Sequence, residues 1–293
     1  MFKKYFLVFL ALLIPQALYA AEPLNWVGCG ITKKAFMSSL AAAYEKKTGV
    51  HIEIHGGGAT RGIRDVAALK AEIGGACRYK IDEAPEETGA VLDPVAWDAL
   101  VVIVHKSNPV ESITMKQIYD IYSGKIKNWQ ELGGKNAEIE VFARKGKISG
   151  VGRALRKLVF ANYEQEFAAD QFFKSSGPLE KGIEGNSINA IGVTGISSAR
   201  KRDVKILKLD GKEPSAANIR NGSYTLYRPL YLIYNPSNAR SADVKKFLSF
   251  AHSREGKQII RDNEVVPYSD ALALVMKQLE QERRARDLGL YDQ

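Results

Sequence analysis

"EIEVFARKGKISGVGRALRKL", residues 138–158, decides how the rest of the chain is read. The first seven residues have strand character and end in Arg144, and a small-residue loop follows at Gly146, Ser149, Gly150 and Gly152. Helical spacing then begins, with Arg153, Arg156 and Lys157 in its first turns. Strand, glycine-rich turn, helix start is one unit, and the chain uses it repeatedly. "NWVGCG" (25–30) precedes a helix over 33–47 that puts Phe36, Leu40, Ala43 and Tyr44 on one face and stops at Gly49. "VHIEIHGGG" (50–58) precedes a second helix marked by Ile63, Val66, Ala67 and Lys70, ending at Gly74-Gly75, after which "GGACR" (74–78) closes a third strand. Such alternation predicts an α/β fold with mainly parallel sheets flanked by helices, in which ligands meet the loops that follow the strands.

Two stretches differ from these units. "VAWDALVVIV" (95–104) and "RPLYLIYN" (228–235) are apolar almost throughout, as in strands buried on both faces. No low-complexity linker or internal repeat interrupts the chain, so these two strands are the expected crossings between two hinged domains. The predicted division is lobe 1 from 21–103 plus 228–293, and lobe 2 from 104–227, with a cleft between. Within it, Thr114 and Gln117 form a capping box ahead of a helix carrying Ile118, Ile121 and Tyr122. Helical spacing is also read over 163–174, strands at "NAIGVTG" (189–195) and "VKILKL" (204–209), and a short helix over 214–221. Ser241 is expected to cap a helix with Val244, Phe247, Leu248 and Ala251, and a charged helix to run over 270–288.

Residues 1–20 stand apart from this pattern. Lys3 and Lys4 precede an apolar run from Tyr5 to Ile14, then Pro15 and the small-residue exit Ala17, Tyr19, Ala20, which together predict a signal peptide cleaved after Ala20. The run is too short for a stable bilayer span, so an exported chain is expected, with the bacterial periplasm as its compartment. Cys29 lies well past the apolar run and inside a strand, which argues against a lipid-bearing cysteine. The formal charge is +9, or +7 once Lys3 and Lys4 leave with the leader. Basic residues are spread along the chain without interleaved aromatics, which disfavours nucleic acid and suits a small anion.

Cys29 and Cys77 are the only cysteines. In an oxidising compartment they read as a disulfide; two free thiols, or a soft-metal or arsenite-type thiolate site completed by His55, are the alternatives. No Gly-x-Ser-x-Gly, His-Glu-x-x-His or Walker loop is present, and the glycines of "GGGATRG" (56–62) are out of register for a dinucleotide fingerprint. Neither an enzyme nor a resident cofactor or metal is therefore expected.

Several longer stretches carry a resemblance. "GCGITKKAF", "YEKKTGVHIEIHGGGATRGIRDVAALKAEIGGACR", "SGKIKNWQELGG", "NAIGVTG" and "NGSYTLYRPLYLIYNPSN" together resemble the phosphate-binding protein of bacterial ABC phosphate importers, over most of residues 24–268. The resemblance implies a two-domain periplasmic binding protein fold of type II, an oxyanion or small phosphorylated ligand held in the hinge cleft, and the importer's membrane subunits as partners. By the same resemblance the ligand residues fall on Thr32, Thr60, Arg144, Ser149 and Gly150.

The family pattern is altered at three loops. Where family members read Gly-Ser-Gly-Thr after the arginine, this chain has Lys147, Ile148, Ser149 and Gly150. A family serine falls on Ala59, leaving Thr60 as the nearest hydroxyl, and Ala-Ser-Asp becomes Ala76-Cys77-Arg78. Exchange of a carboxylate for a guanidinium implies an altered ligand, either an anion bearing no proton or a larger one met bidentately by Arg78. Alternatively, Arg78 points away from the ligand. A non-transport role as an envelope sensor or accessory binding protein is the rival function, favoured by the altered loops and the charged C-terminal helix.

Overall fold

The computed structural model describes residues 22–185 and 187–290; the expected leader lies outside them. Among the described residues twelve strands are formed: β1 (Leu24–Gly28), β2 (Ile52–Gly56), β3 (Ile73–Ala76), β4 (Val91–His105), β5 (Ser112–Ile113), β6 (Glu140–Arg144), β7 (Gln171–Phe173), β8 (Ala190–Gly195), β9 (Val204–Ile206), β10 (Lys208–Leu209), β11 (Tyr227–Tyr234) and β12 (Val266–Pro267). The main sheet runs in the order β2-β1-β3-β11-β4-β8-β6-β7. β2, β1 and β3 are parallel, as are β8, β6 and β7, and the two parallel groups are joined through antiparallel β11 and β4.

β4 belongs to both halves of the molecule. It pairs with β11 through Ala99 and with β8 from Leu100 onward. Its residues from Val95 to Val104 are all buried, which is why the sequence there is apolar without alternation. Sheet pairing thus changes hands between Ala99 and Leu100, and Leu100 N–H donates to Leu226 O beside the start of β11.

The first helical run starts with α1 (Gly30–Thr32), passes through a π turn at Lys33–Met37, and continues as α2 (Ser38–Thr48) to Gly49 in the left-handed region. α3 (Gly58–Ala67) lies across β1 and β3 so closely that a Cβ on Gly62 would sit 2.8 Å from both Gly75 O and Val27 O. α4 (Met115–Tyr122) carries the anticipated capping box. α5 (Gly150–Leu155) leads into a π turn at Arg156–Phe160, and α6 (Ser176–Glu184), α7 (Ile196–Ala199) and α8 (Ala216–Arg220) complete the second half. α9 (Ser241–His252), α10 (Arg254–Asp262) and α11 (Ala273–Leu290) follow β11. Ser241 is the first residue of α9 rather than its cap, a position held by Arg240.

No helix forms over 163–174. Ala161, with φ 49°, ends the preceding turn in the left-handed region, and the chain crosses as a loop before β7. Phe167 is buried there by packing from outside its own segment: the Tyr122 ring lies 5.1 Å away, and the Arg156 guanidinium sits 4.0 Å above the Phe167 ring while its Nε donates to Gln165 O. Apolar spacing that resembled a helix face is thus satisfied by a loop pressed against α4 and the π turn.

Candidate anion-binding cleft

A cleft of about 660 Å3 lies where the strand-end loops of the two halves meet. Its walls are helix starts: Gly30 and Ile31 of α1, Gly58 and Ala59 of α3, Gly150 of α5, and Ser176 and Gly177 of α6. The first turn of a helix leaves backbone N–H groups without partners, and the helix dipole adds positive potential at the same place. Some helix starts elsewhere have those donors covered by side chains, as by Thr114 on α4, Ser215 on α8 and Ser253 on α10, while α7 and α9 have no such cap. At the cleft three of the four starts lack such a cap: Gly57, Ser149 and Ser175, which precede α3, α5 and α6, make none, whereas Cys29 caps α1 by accepting from the Thr32 N–H.

Lys34, Arg144, Lys174 and Arg202 also line the cleft, and no carboxylate does among the described residues. The buried carboxylate of Glu180 stands behind this wall. It accepts from Thr194 Oγ1 at 2.6 Å, Ser198 Oγ at 2.7 Å and Arg202 Nε at 3.3 Å, and lies 3.6 Å from Lys34 Nζ, so it holds two of the four cations in place. Arg144 is anchored differently. Its guanidinium donates to Phe173 O, Lys174 O and Ser176 Oγ, which engages three of five N–H groups and leaves two for a guest. Burial holds its pKa below the ordinary arginine value, opposed by the nearby cysteines.

The expected ligand residues divide into three groups. Arg144 and Gly150 line the cleft. Thr32 is fully buried beneath it, with Oγ1 2.8 Å from Cys29 Sγ. Thr60, Arg78 and Ser149 lie at the seam beside it: Thr60 Oγ1 donates to Ile148 O and accepts from Arg78, while Ser149 Oγ donates to Gly146 O.

Arg78 therefore does not meet a larger anion bidentately; of the two expectations, the one in which it points away from the ligand agrees with its position. Its side chain is buried against Glu87, with Nη1 at 3.0 Å and Nη2 at 2.5 Å from the two carboxylate oxygens. The Ile81 N–H also donates to Glu87. Burial raises the Glu87 carboxyl pKa, but these hydrogen bonds outweigh it and hold the group below its usual range. A guanidinium so paired carries little net charge into the cleft, and its Nε instead donates to Ile148 O across the seam.

The expected disulfide is not formed: Cys29 and Cys77 are both free thiols, both buried and both in the cleft lining. The parallel register of β1 and β3, Gly28 opposite Gly75, brings the two strand ends together, with Cys29 one residue and Cys77 two residues beyond that last pair. The two thiols are near enough to shift each other's pKa. A hydrogen bond from Cys29 lowers the Cys77 pKa to about 6 against the opposing effect of burial, and Arg228 and Arg144 add to the lowering. Burial and the neighbouring Cys77 push Cys29 well above the ordinary thiol value. His55 does not join them; it is half exposed beside Glu53, and no cluster of three metal-ligating side chains exists among the described residues.

Sequence reading missed Lys34, Lys174, Ser175, Ser176, Gly177 and Arg202. A signal for the α6 start was present in "KSSGP" (174–178), a cation and small residues followed by proline in a first helical turn. It was masked by the helical reading of 163–174.

Comparison with known proteins fits this geometry. Residues 28–255 match the family model of a PBP superfamily domain. The phosphate-binding protein PstS of Bacillus subtilis is 28% identical over 238 residues, spanning 79% of this chain and 77% of the relative. PstS of Pseudomonas aeruginosa is 28% identical over 222 residues, 67% of this chain and 64% of the relative. Among solved structures, a phosphate ABC transporter substrate-binding protein from Clostridium perfringens with bound phosphate is 33% identical, with a TM-score of 0.77 over 84% of this chain and 99% of that one. An ABC-type phosphate transport receptor from Vibrio cholerae is 27% identical, with a TM-score of 0.63 over 83% and 99%. With its two half-sheets joined through β4 and four helix starts facing one cleft, the chain belongs to the PBP superfamily, among the binding proteins of phosphate ABC transporters.

Proposed function

We propose that this chain is a periplasmic solute-binding protein that holds phosphate or a closely related tetrahedral oxyanion in the cleft and presents it to an ABC importer. Residues 22–99 with 227–290 serve as one lobe and 100–226 as the other, hinged at β4 and the entry to β11. The observation that carries this reading is the set of three helix starts without side-chain caps, facing a cleft lined by four cations and no carboxylate among the described residues. An oxyanion entering there completes the missing caps and meets compensating charge.

The same lining bears on ligand choice. A protonated phosphate oxygen needs an acceptor, and among the described residues no side-chain carboxylate lines the cleft to supply one. Sulfate, which carries no proton, is therefore expected to bind alongside phosphate. A thermal-unfolding screen at low salt with phosphate, sulfate, arsenate and molybdate tests this; a cognate anion at 100 times its dissociation constant adds about 2.7 kcal/mol of stability. Absence of a shift with every tetrahedral oxyanion would sink the oxyanion reading. A shift with phosphate but none with sulfate would overturn the argument from the missing carboxylate.

A further inference from the structure

The thiol pair is not needed to hold a phosphate. Caps and cations suffice for that, yet two sulfurs from adjacent strand ends are placed together in the cleft lining, both unoxidised. Gly150 brings the second lobe directly onto them: a Cβ there would lie 2.5 Å from Cys77 Sγ and 3.0 Å from Ala59 Cβ, so no larger residue fits between the thiol and α5. Thr32 fixes the Cys29 sulfur by its hydroxyl at 2.8 Å and its amide at 3.4 Å. Arg228 fixes the Cys77 backbone, its Nη1 donating to Cys77 O at 2.8 Å and to Gly150 O at 3.3 Å.

We propose that Cys29 and Cys77 form a two-sulfur chelating site for a trivalent metalloid oxyacid of the arsenite class, within the same cleft that admits tetrahedral oxyanions.

Three features select this ligand class. Thiolate sulfur favours soft, thiophilic centres. A closed zinc-type site needs four donors, and no cluster of even three metal-ligating side chains exists among the described residues. A free soft cation would enter against Lys34, Arg144, Lys174 and Arg202, whereas arsenous acid is uncharged near neutral pH and meets no such opposition. Its pyramidal centre forms three bonds, two of which the pair supplies.

The reaction balances without an oxidant. As(OH)3 condenses with the Cys77 thiolate and the Cys29 thiol; two As–S bonds form and two As–O bonds break, the Cys29 proton leaving with one displaced hydroxide as water and the hydroxide displaced by Cys77 taking its proton from solvent. Arsenic stays trivalent, and the third bond keeps its hydroxyl toward the cleft cations. Cys77 is the attacking group, since it is the thiol of the pair whose pKa is lowered.

The site uses the sulfurs alone, so it stands or falls separately from phosphate binding. The full mature chain is reduced, freed of small thiols without air, mixed with sodium arsenite and passed through gel filtration, and bound arsenic is measured. One arsenic per chain is expected, with an intact mass that shows loss of two waters on addition. Cys29→Ser and Cys77→Ser should each abolish retention. On the unmodified protein, a dithiol competitor such as dimercaptopropanol should strip the arsenic while mercaptoethanol at the same thiol concentration leaves it, a distinction that needs no variant to fold. Absence of retained arsenic in the reduced protein, full retention by either serine variant, or equal stripping by the two competitors would overturn the proposal. A phosphate-induced thermal shift measured on the same sample reports separately on the oxyanion function.

Discussion

Arg144 shows how a single residue serves two purposes in the cleft. Its three backbone and hydroxyl partners orient the guanidinium, and the two remaining N–H groups give a guest a charge-assisted contact. Such bonds contribute about 1.5–3 kcal/mol, so Arg144→Gln should weaken oxyanion affinity at least tenfold, as measured by calorimetric titration. Cys77 is the other residue with a sharp signature. Its folded pKa of about 6 lies below the ordinary 9.0, so between these values the folded protein holds fewer protons than the unfolded chain. Stability is therefore expected to rise with pH across that window, and the contribution to be lost as pH falls through 6. Thiolate ultraviolet absorbance of the native protein should titrate near pH 6. Cys29→Ala removes the main cause and should raise that midpoint, while Cys29→Ser keeps a donor and should hold it low. At this scale the sequence was only partly legible. Arg144 and Gly150 were readable because strand, glycine turn and helix are local patterns. Arg78 was left open between two roles because its partner Glu87 lies across a turn that no local pattern foretells.

Among the elements, those with internal signals were the readable ones. The Thr114 and Gln117 capping box, the apolar run of β4 and the charged terminal helix all declare themselves within a few residues. The segment 163–174 did not, because Phe167 is buried by Tyr122 and Arg156, residues separated from it in sequence and supplied only by the fold. That error also hid the start of α6, and with it a quarter of the cleft's helix starts. α3 offers a direct test of how tightly these starts are positioned. Gly62 faces the carbonyls of Gly75 and Val27 at 2.8 Å from a would-be Cβ, and neither strand backbone yields without disturbing the sheet. Gly62→Ala should cost about 1–3 kcal/mol by urea unfolding, despite alanine's better helix propensity. It should also weaken oxyanion binding, because the displaced helix carries Gly58 and Ala59 with it. Full stability in this variant would mean that α3 rides more loosely on the sheet than its contacts indicate.

Over the whole molecule, closure of the cleft depends on contacts that join its two sides. Thr60 and Arg78 both donate to Ile148 O, and Arg228 joins Cys77 O to Gly150 O, so the seam beside the cleft is already made. α11, which lies beyond the residues matched by the family model, adds an outer tie. Its Gln278 donates to the Tyr79 hydroxyl, its Gln281 to Tyr227 O at 3.1 Å, and its Glu282 pairs with Lys157 at 2.8 Å on the π turn after α5. One helix thereby touches both lobes and the strand that enters the hinge. The Lys157–Glu282 pair is partly exposed, so Glu282→Ala should lower global stability by less than about 1 kcal/mol. The same small energy acts differently on an open–closed equilibrium, where 1 kcal/mol is a factor of about five in population. Ligand-free Glu282→Ala should therefore scatter X-rays at small angles as a more extended particle than the parent. Saturating oxyanion should bring the two profiles together, because the ligand supplies the closure that the tie no longer does. Identical ligand-free profiles would show that α11 covers the lobes without holding them, and that the seam at Ile148 and Gly150 alone sets the closed geometry.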